Sequence, residues 1–221
     1  MIPPEQDAAF VAQMEAVLDL YEEPYDRDRP VVCFDEEPYQ MLGDIRPPVP
    51  ASPGRDRRTD YEYERCGTAN LFVFYEPLRA YRHVEVRERR RAVEFADMMR
   101  VLVDELYPEA PQVRVVLDNL STHTKASLYK RFAPAEARRI ARRLAFTHTP
   151  RHGSWLNMVE IENAAVGVQC LARRIESVDV LASETTAWAS ARNAAGVGTD
   201  WRFTAADARI KLSRLYPTDE T

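Results

Sequence analysis

Cysteine is scarce in this chain of 221 residues: Cys33, Cys66 and Cys170 are its only three, and they lie far apart. An odd, widely spaced set excludes an even disulfide framework and the close cysteine pairs of a structural zinc site. It suits a reducing compartment, with the thiols acting as small buried hydrophobes. Long apolar runs are missing too. No segment approaches the roughly eighteen uninterrupted apolar residues of a membrane span, and the opening MIPPEQDAAF has no basic head followed by an apolar stretch. Secretion and membrane insertion are therefore not indicated, and the expectation is a cytoplasmic, soluble chain. Internal repeats and low-complexity tracts are absent as well.

What is present is core-forming: 45% of the residues are apolar and 29% charged, and a chain of this length buries a substantial core without crosslinks. The net charge is −5, but it is unevenly distributed. Residues 1–44 carry 12 acidic residues against two arginines, a balance of −10, which leaves the remainder at +5. In that remainder Arg87, Arg89, Arg90 and Arg91 form one basic cluster, Arg138, Arg139, Arg142 and Arg143 a second, and Arg173 with Arg174 a third. Any one of them reads as a solvated helix face; three together predict a surface that follows a phosphate backbone.

Apolar residues recur with helical spacing from Glu5 to Tyr21, after a Pro-Pro start suited to a first turn. PVVCF is then a short strand ending at Asp35-Glu36-Glu37. The proline-rich stretch Arg46 to Arg58 is neither helix nor central strand and reads as a surface excursion. CGTANLFVFY (66–75) and AYRHVEV (80–86) are two strands turning near Pro77. Ala92 to Tyr107 is a buried helix, VRVVL (113–117) a strand, Ser127–Phe132 and Pro134–Arg143 helices, and Leu144–His148 a short strand. The chain is mainly helical from Met158, with a last amphipathic helix from Ala205 to Tyr216. Three strands, a helix and a further strand is the opening of an α/β RNase H-like fold, a mixed five-stranded sheet flanked by helices. The expected organisation is an N-terminal helix and connector (1–29), the α/β domain (30–200) and a C-terminal helix packed on it (201–221).

Two strands thus end in carboxylates, Asp35 and Asp118. Neighbouring acids without a counter-charge repel each other and shift their pKa values, and a hard divalent cation with oxygen ligands relieves that repulsion. A turn at Asp118-Asn119 is the local alternative. A third acid is expected from the helix after GSWLN. Glu160 lies on its first turn, where the helix dipole favours a carboxylate, whereas Glu162 points about 200° away. Asn157 and Glu160 also fit a plain capping box, so spacing alone leaves both readings open. His123, His148 and His152 lie beside these acids, either orienting phosphate or a carboxylate or serving as bonded structural residues. Trp155 either stacks on a base or packs, and packing is favoured.

FDE at 34–36, LDNLSTHT at 117–124 and HTPRHGSWLNMVEIE at 148–162 resemble the catalytic domain of bacterial insertion-sequence DDE transposases related to the mariner superfamily. CGTANLFVFYEP (66–77) and WRFTAADARIKLSRLYP (201–217) extend the resemblance over nearly the whole chain. It implies that Asp35, Asp118 and Glu160 hold two divalent metal ions, Mg2+ or Mn2+, for DNA strand cleavage and strand transfer. The implied partners are transposon-end and target DNA and, as a homodimer, a second copy. Members of this family carry an N-terminal helix-turn-helix, whereas only a short acidic helix precedes Asp35 here. The readings are a truncated copy, the second reading frame of a split element partnered by a separate helix-turn-helix protein, or a catalytic domain used without its targeting module, and recognition of specific DNA ends stays open among them. The interval from Asp118 to Glu160 is longer than in many mariner relatives, and the arginine-rich 134–143 helix is the expected place of the extra length. The alternative function is a relic that binds DNA or a partner protein without cutting.

Overall fold

The computed structural model describes residues 7–217 except Arg57 and Thr59. The predicted Pro-Pro start of the first helix lies outside the described residues. Helix α1 (Ala8–Glu22) begins at Asp7, whose side chain accepts a hydrogen bond from the Phe10 amide at 2.9 Å, and so satisfies one donor of the first turn.

Strands β1 (Val31–Asp44), β2 (Tyr63–Glu76), β3 (Tyr81–Arg87), β4 (Val113–Leu117) and β5 (Leu144–His148) form one mixed sheet in the order β3-β2-β1-β4-β5. The β3, β2 and β1 strands are antiparallel neighbours, and β1, β4 and β5 run parallel. This is the predicted RNase H-like arrangement. One prediction fails: β1 does not stop at Asp35. β2 accompanies it from Cys33 to Asp44, so the backbone stays extended through all three acids, whereas β4 pairs only with Val31 to Cys33. The strand is longer than its apolar run because pairing on one edge suffices to hold it. The proline-rich excursion is held by small bridges, Val49 with Arg58 and Ser52 with Arg55.

Side chains alternate across the sheet. Val31, Cys33, Leu71, Val73 and Tyr75 face a layer made of α1, α5 (Val159–Gln169), α6 (Val178–Ala194) and α7 (Ala205–Lys211). Val32, Phe34, Phe72 and Phe74 face α2 (Ala92–Val101), α3 (Ala126–Arg131) and α4 (Pro134–Arg142). The α2 helix passes into a π-type turn at Leu102–Leu106. The last helix is shorter than predicted: after Lys211 the chain tightens into a 3-10 turn, Ser213–Leu215, that buries Leu215. Arg209 and Tyr216 both bond Glu15, at 2.8 Å each, which fastens the end of the chain to α1. Of the three thiols, all free, Cys33 is buried as predicted, but Cys66 and Cys170 are partly exposed. Among the described residues no helix is long and apolar enough to cross a membrane.

Candidate active site

The parallel register of β1 and β4 sets Val31 beside Arg114, Val32 beside Val115 and Cys33 beside Val116. Continued by two residues, it sets Asp35 opposite Asp118. Cys33 and Val116 belong to the same core, and Asp35, two residues further along β1, turns to that side; Asp118 lies just past the end of β4, and its Oδ1 turns to His123. That the two acids meet at one rim follows from this register.

Asp35 is largely enclosed. Its Oδ1 accepts the Glu36 amide at 2.8 Å and its Oδ2 accepts Nδ2 of Asn163 at 3.3 Å. Burial pushes its pKa up to about 7 against the pull of the Glu36 amide, and the negative charges of Glu160 and Asp118 push it further in the same direction. Glu160 and Asp118 thus both bear on Asp35.

Asp118 has a different environment. Its Oδ1 accepts the Leu120 amide at 3.1 Å, the local turn anticipated for Asp-Asn, and lies 2.5 Å from Nδ1 of His123. Burial raises its pKa, but His123 outweighs burial and holds the carboxyl below its ordinary value. His123 is fully buried, with Nε2 3.3 Å from Oε1 of Glu36. Burial opposes its charge, yet the two flanking carboxylates push its pKa up to about 9. The loop is fastened further by Asn119, whose Nδ2 donates to the Thr149 carbonyl, and by His148, whose Nε2 lies 2.9 Å from the His123 carbonyl.

Glu160 lies in the first turn of α5, as predicted. The predicted capping box with Asn157 is not formed. Met158 occupies the N-cap, and Asn157 donates Nδ2 to the Phe34 carbonyl at 2.9 Å. A carbonyl left free where β1 has no β4 partner is the better acceptor for a buried amide, and the bond pins the start of α5 next to Asp35. The preceding turn needs Gly153, because a Cβ there would come within 2.6 Å of Pro150. Glu162 points to the opposite side, as its helical position requires: it is buried against Arg82 at 2.8 Å and Arg192 at 3.2 Å.

Asp35, Asp118 and Glu160 supply only oxygen donors, the chemistry of a Mg2+ or Mn2+ site. Asp35 and Glu160 make no ion pair with a basic side chain among the described residues, so the donor set suits a cation. Nowhere among the described residues do three His, Cys, Asp or Glu side chains approach to cation-binding spacing, however; Asp118 is turned toward His123. Glu36 and Asn163 were missed as parts of the site. A second consecutive acid, placed by strand alternation on the opposite face from Asp35, was the available signal for Glu36. Asn163, three residues after Glu160 on the same helical face, was the other.

The basic clusters are largely engaged within the protein. Arg87 pairs with Glu85, Arg91 with Glu94, Arg139 with Asp104 and Glu136, Arg173 with Glu184 and Arg174 with Asp44. Arg143 bonds the carbonyls of Tyr107, Pro108 and Ala110. Arg89, Arg90, Arg138 and Arg142 are exposed. Trp155 packs edge-on against Phe203 at 5.8 Å, in agreement with a packing role.

Residues 30–182 match the family model of the DDE superfamily endonucleases. The chain belongs to that family. Among solved structures, the chain is similar to the Mos1 mariner paired end complex with Mg at 15% identity and a TM-score of 0.59. The match covers 99% of this chain and 66% of that one. It is similar to the paired end complex with Mn at 16% identity and a TM-score of 0.56, covering 89% and 60%, and to the Mos1 strand transfer complex at 16% and 0.56, covering 86% and 57%. These likenesses show the shared fold. The chain spans about three fifths of the length of the Mos1 chains it matches. No match is found among curated protein sequences.

Proposed function

We propose that this DDE endonuclease cleaves and joins DNA strands in transposition, with Asp35, Asp118 and Glu160 as the acids of its catalytic centre. The observation that carries the reading is the β1–β4 register, which projects Asp35 opposite Asp118, together with the influence of Glu160 on Asp35. Residues 30–200 are read as the catalytic domain, residues 1–29 as an N-terminal helix and connector, and residues 201–221 as a C-terminal helix packing on the domain.

Two divalent cations held by the three carboxylates would supply Lewis acidity to activate a water or a 3′ hydroxyl and to stabilise the leaving oxygen. The chain's own part is placement. The Glu36 amide and Asn163 orient Asp35, the Leu120 amide and His123 orient Asp118, and the Asn157 bond to the Phe34 carbonyl fixes the helix that carries Glu160. The DNA partner is supported by the Mos1 structures, which include paired end and strand transfer complexes. A homodimer and a separate helix-turn-helix DNA-binding protein are partners that remain part of the proposal.

Incubation with supercoiled plasmid and Mg2+ or Mn2+ tests the reading. The expected result is nicked circles with the native chain and none with Asp118→Ala. Equal nicking by both proteins, or none by either with any divalent metal, would overturn it.

A further inference from the structure

We propose that His123 is a positioning residue for Asp118 and that Glu36 anchors it, one imidazole replacing the strand pairing that β1 and β4 no longer provide at the acids. The inference rests on the reading of Asp35, Asp118 and Glu160 as cation-binding acids and assigns a role to a pair of residues outside that set.

Pairing between β1 and β4 ends at Cys33 and Val116, two residues short of each aspartate. Beyond it, the two segments need another tie if their carboxylates are to keep a fixed spacing. His123 supplies one: Nδ1 lies 2.5 Å from Oδ1 of Asp118 and Nε2 lies 3.3 Å from Oε1 of Glu36, the residue next to Asp35. Strand alternation turns Glu36 to the opposite face from Asp35, so the anchor stands behind the site and not in it. The imidazole is held flat in a slot, stacked on Phe95 at 4.8 Å and edge-on to Phe34 at 5.4 Å. A rigid ring with nitrogens on opposite sides suits this span, and a flexible lysine would not fix it. The Leu120 amide and His123 both take Oδ1 of Asp118, and Oδ2 has no protein partner among the described residues. That leaves one oxygen for a cation while the other is held. Partners of this kind behind a ligand tune metal affinity.

The test removes the two fully buried charges of the brace together. In a Glu36→Leu/His123→Phe double variant an aromatic ring stays in the slot, and Asp118, 32% exposed, keeps the Leu120 amide as a donor. Titration calorimetry with Mn2+ should show affinity weakened by about 10- to 100-fold, at a melting temperature near that of the native chain. Native affinity in this variant would overturn the proposal. Should the double variant not fold, Glu36→Gln carries the test: weaker Mn2+ binding at unchanged melting temperature supports the brace, and unchanged binding overturns it. A metal-free measurement separates this proposal from the reading of the site. The His123 ring-nitrogen resonances should shift in Asp118→Asn if the contact exists and stay in place if it does not. Failure of Asp35→Ala to affect Mn2+ binding would instead defeat the site reading.

Discussion

Asp35 is an uncomfortably placed charge, and burial raises its pKa to about 7. It is enclosed beside two further carboxylates, with a backbone amide and one side-chain amide as its hydrogen-bond donors. Without a cation, then, the native acid is a liability, and Asp35→Asn should raise the melting temperature in EDTA. The substitution removes the repulsion, and the new amide can donate to Oδ1 of Asn163, which is buried without a partner. The same variant should lose the rise in melting temperature that Mg2+ or Mn2+ gives the native chain, because binding to the folded state alone is what stabilises it. Differential scanning calorimetry with and without metal checks both halves. A variant less stable than the native chain in EDTA would contradict this account of Asp35.

At the scale of an element, α5 divides its acids between two tasks. Glu160 and Asn163 face the site, while Glu162, on the other side, forms a buried ion pair with Arg82 of β3 that is also joined by Arg192 of α6. Arg82 reaches further, bonding Asn193 at 3.1 Å and the Val197 carbonyl. Breaking one side of such a pair leaves a buried charge uncompensated, at a cost of about 3–5 kcal/mol. Glu162→Leu should therefore lower the unfolding free energy by about that amount in urea denaturation. An Arg82→Met/Glu162→Leu double variant should lose less than the single, since both charges leave together. A double variant no more stable than the single would show that the pair is not the cause. The tie holds the side of α5 that lies away from Glu160.

For the whole molecule, the proposed DNA partner raises the question of how a chain of net charge −5 would meet a polyanion. Most clustered arginines are paired internally, so the exposed remainder is what such a partner would meet. Arg90 is one of the exposed arginines, and its charge pulls down the pKa of Glu37, which burial and Glu160 raise. An Arg89→Ala/Arg90→Ala variant should bind duplex DNA more weakly, with a salt slope smaller by about 1 to 2, as expected for one or two lost phosphate contacts. Its thermal stability should be unchanged. Fluorescence anisotropy from 50 to 200 mM salt, on the order used to resolve such slopes, decides it: an unaltered slope would remove these residues from the interface.

The sequence by itself determined the elements and the candidate acids. Apolar alternation in VRVVL and CGTANLFVFY marks buried strands, and Asp118 ends its strand where the apolar run stops, because these signals are local. Helical geometry likewise separated Glu160 from Glu162. Only the tertiary structure decided that β1 runs on through Asp35, since edge pairing with β2 and not hydrophobicity extends it. Only it turned Asn157 from a helix cap into a bond to Phe34, across 123 residues, and joined His123 to Glu36 across 87. Such contacts depend on which strands become neighbours and in which register, and a side chain's own neighbours in sequence carry no record of that.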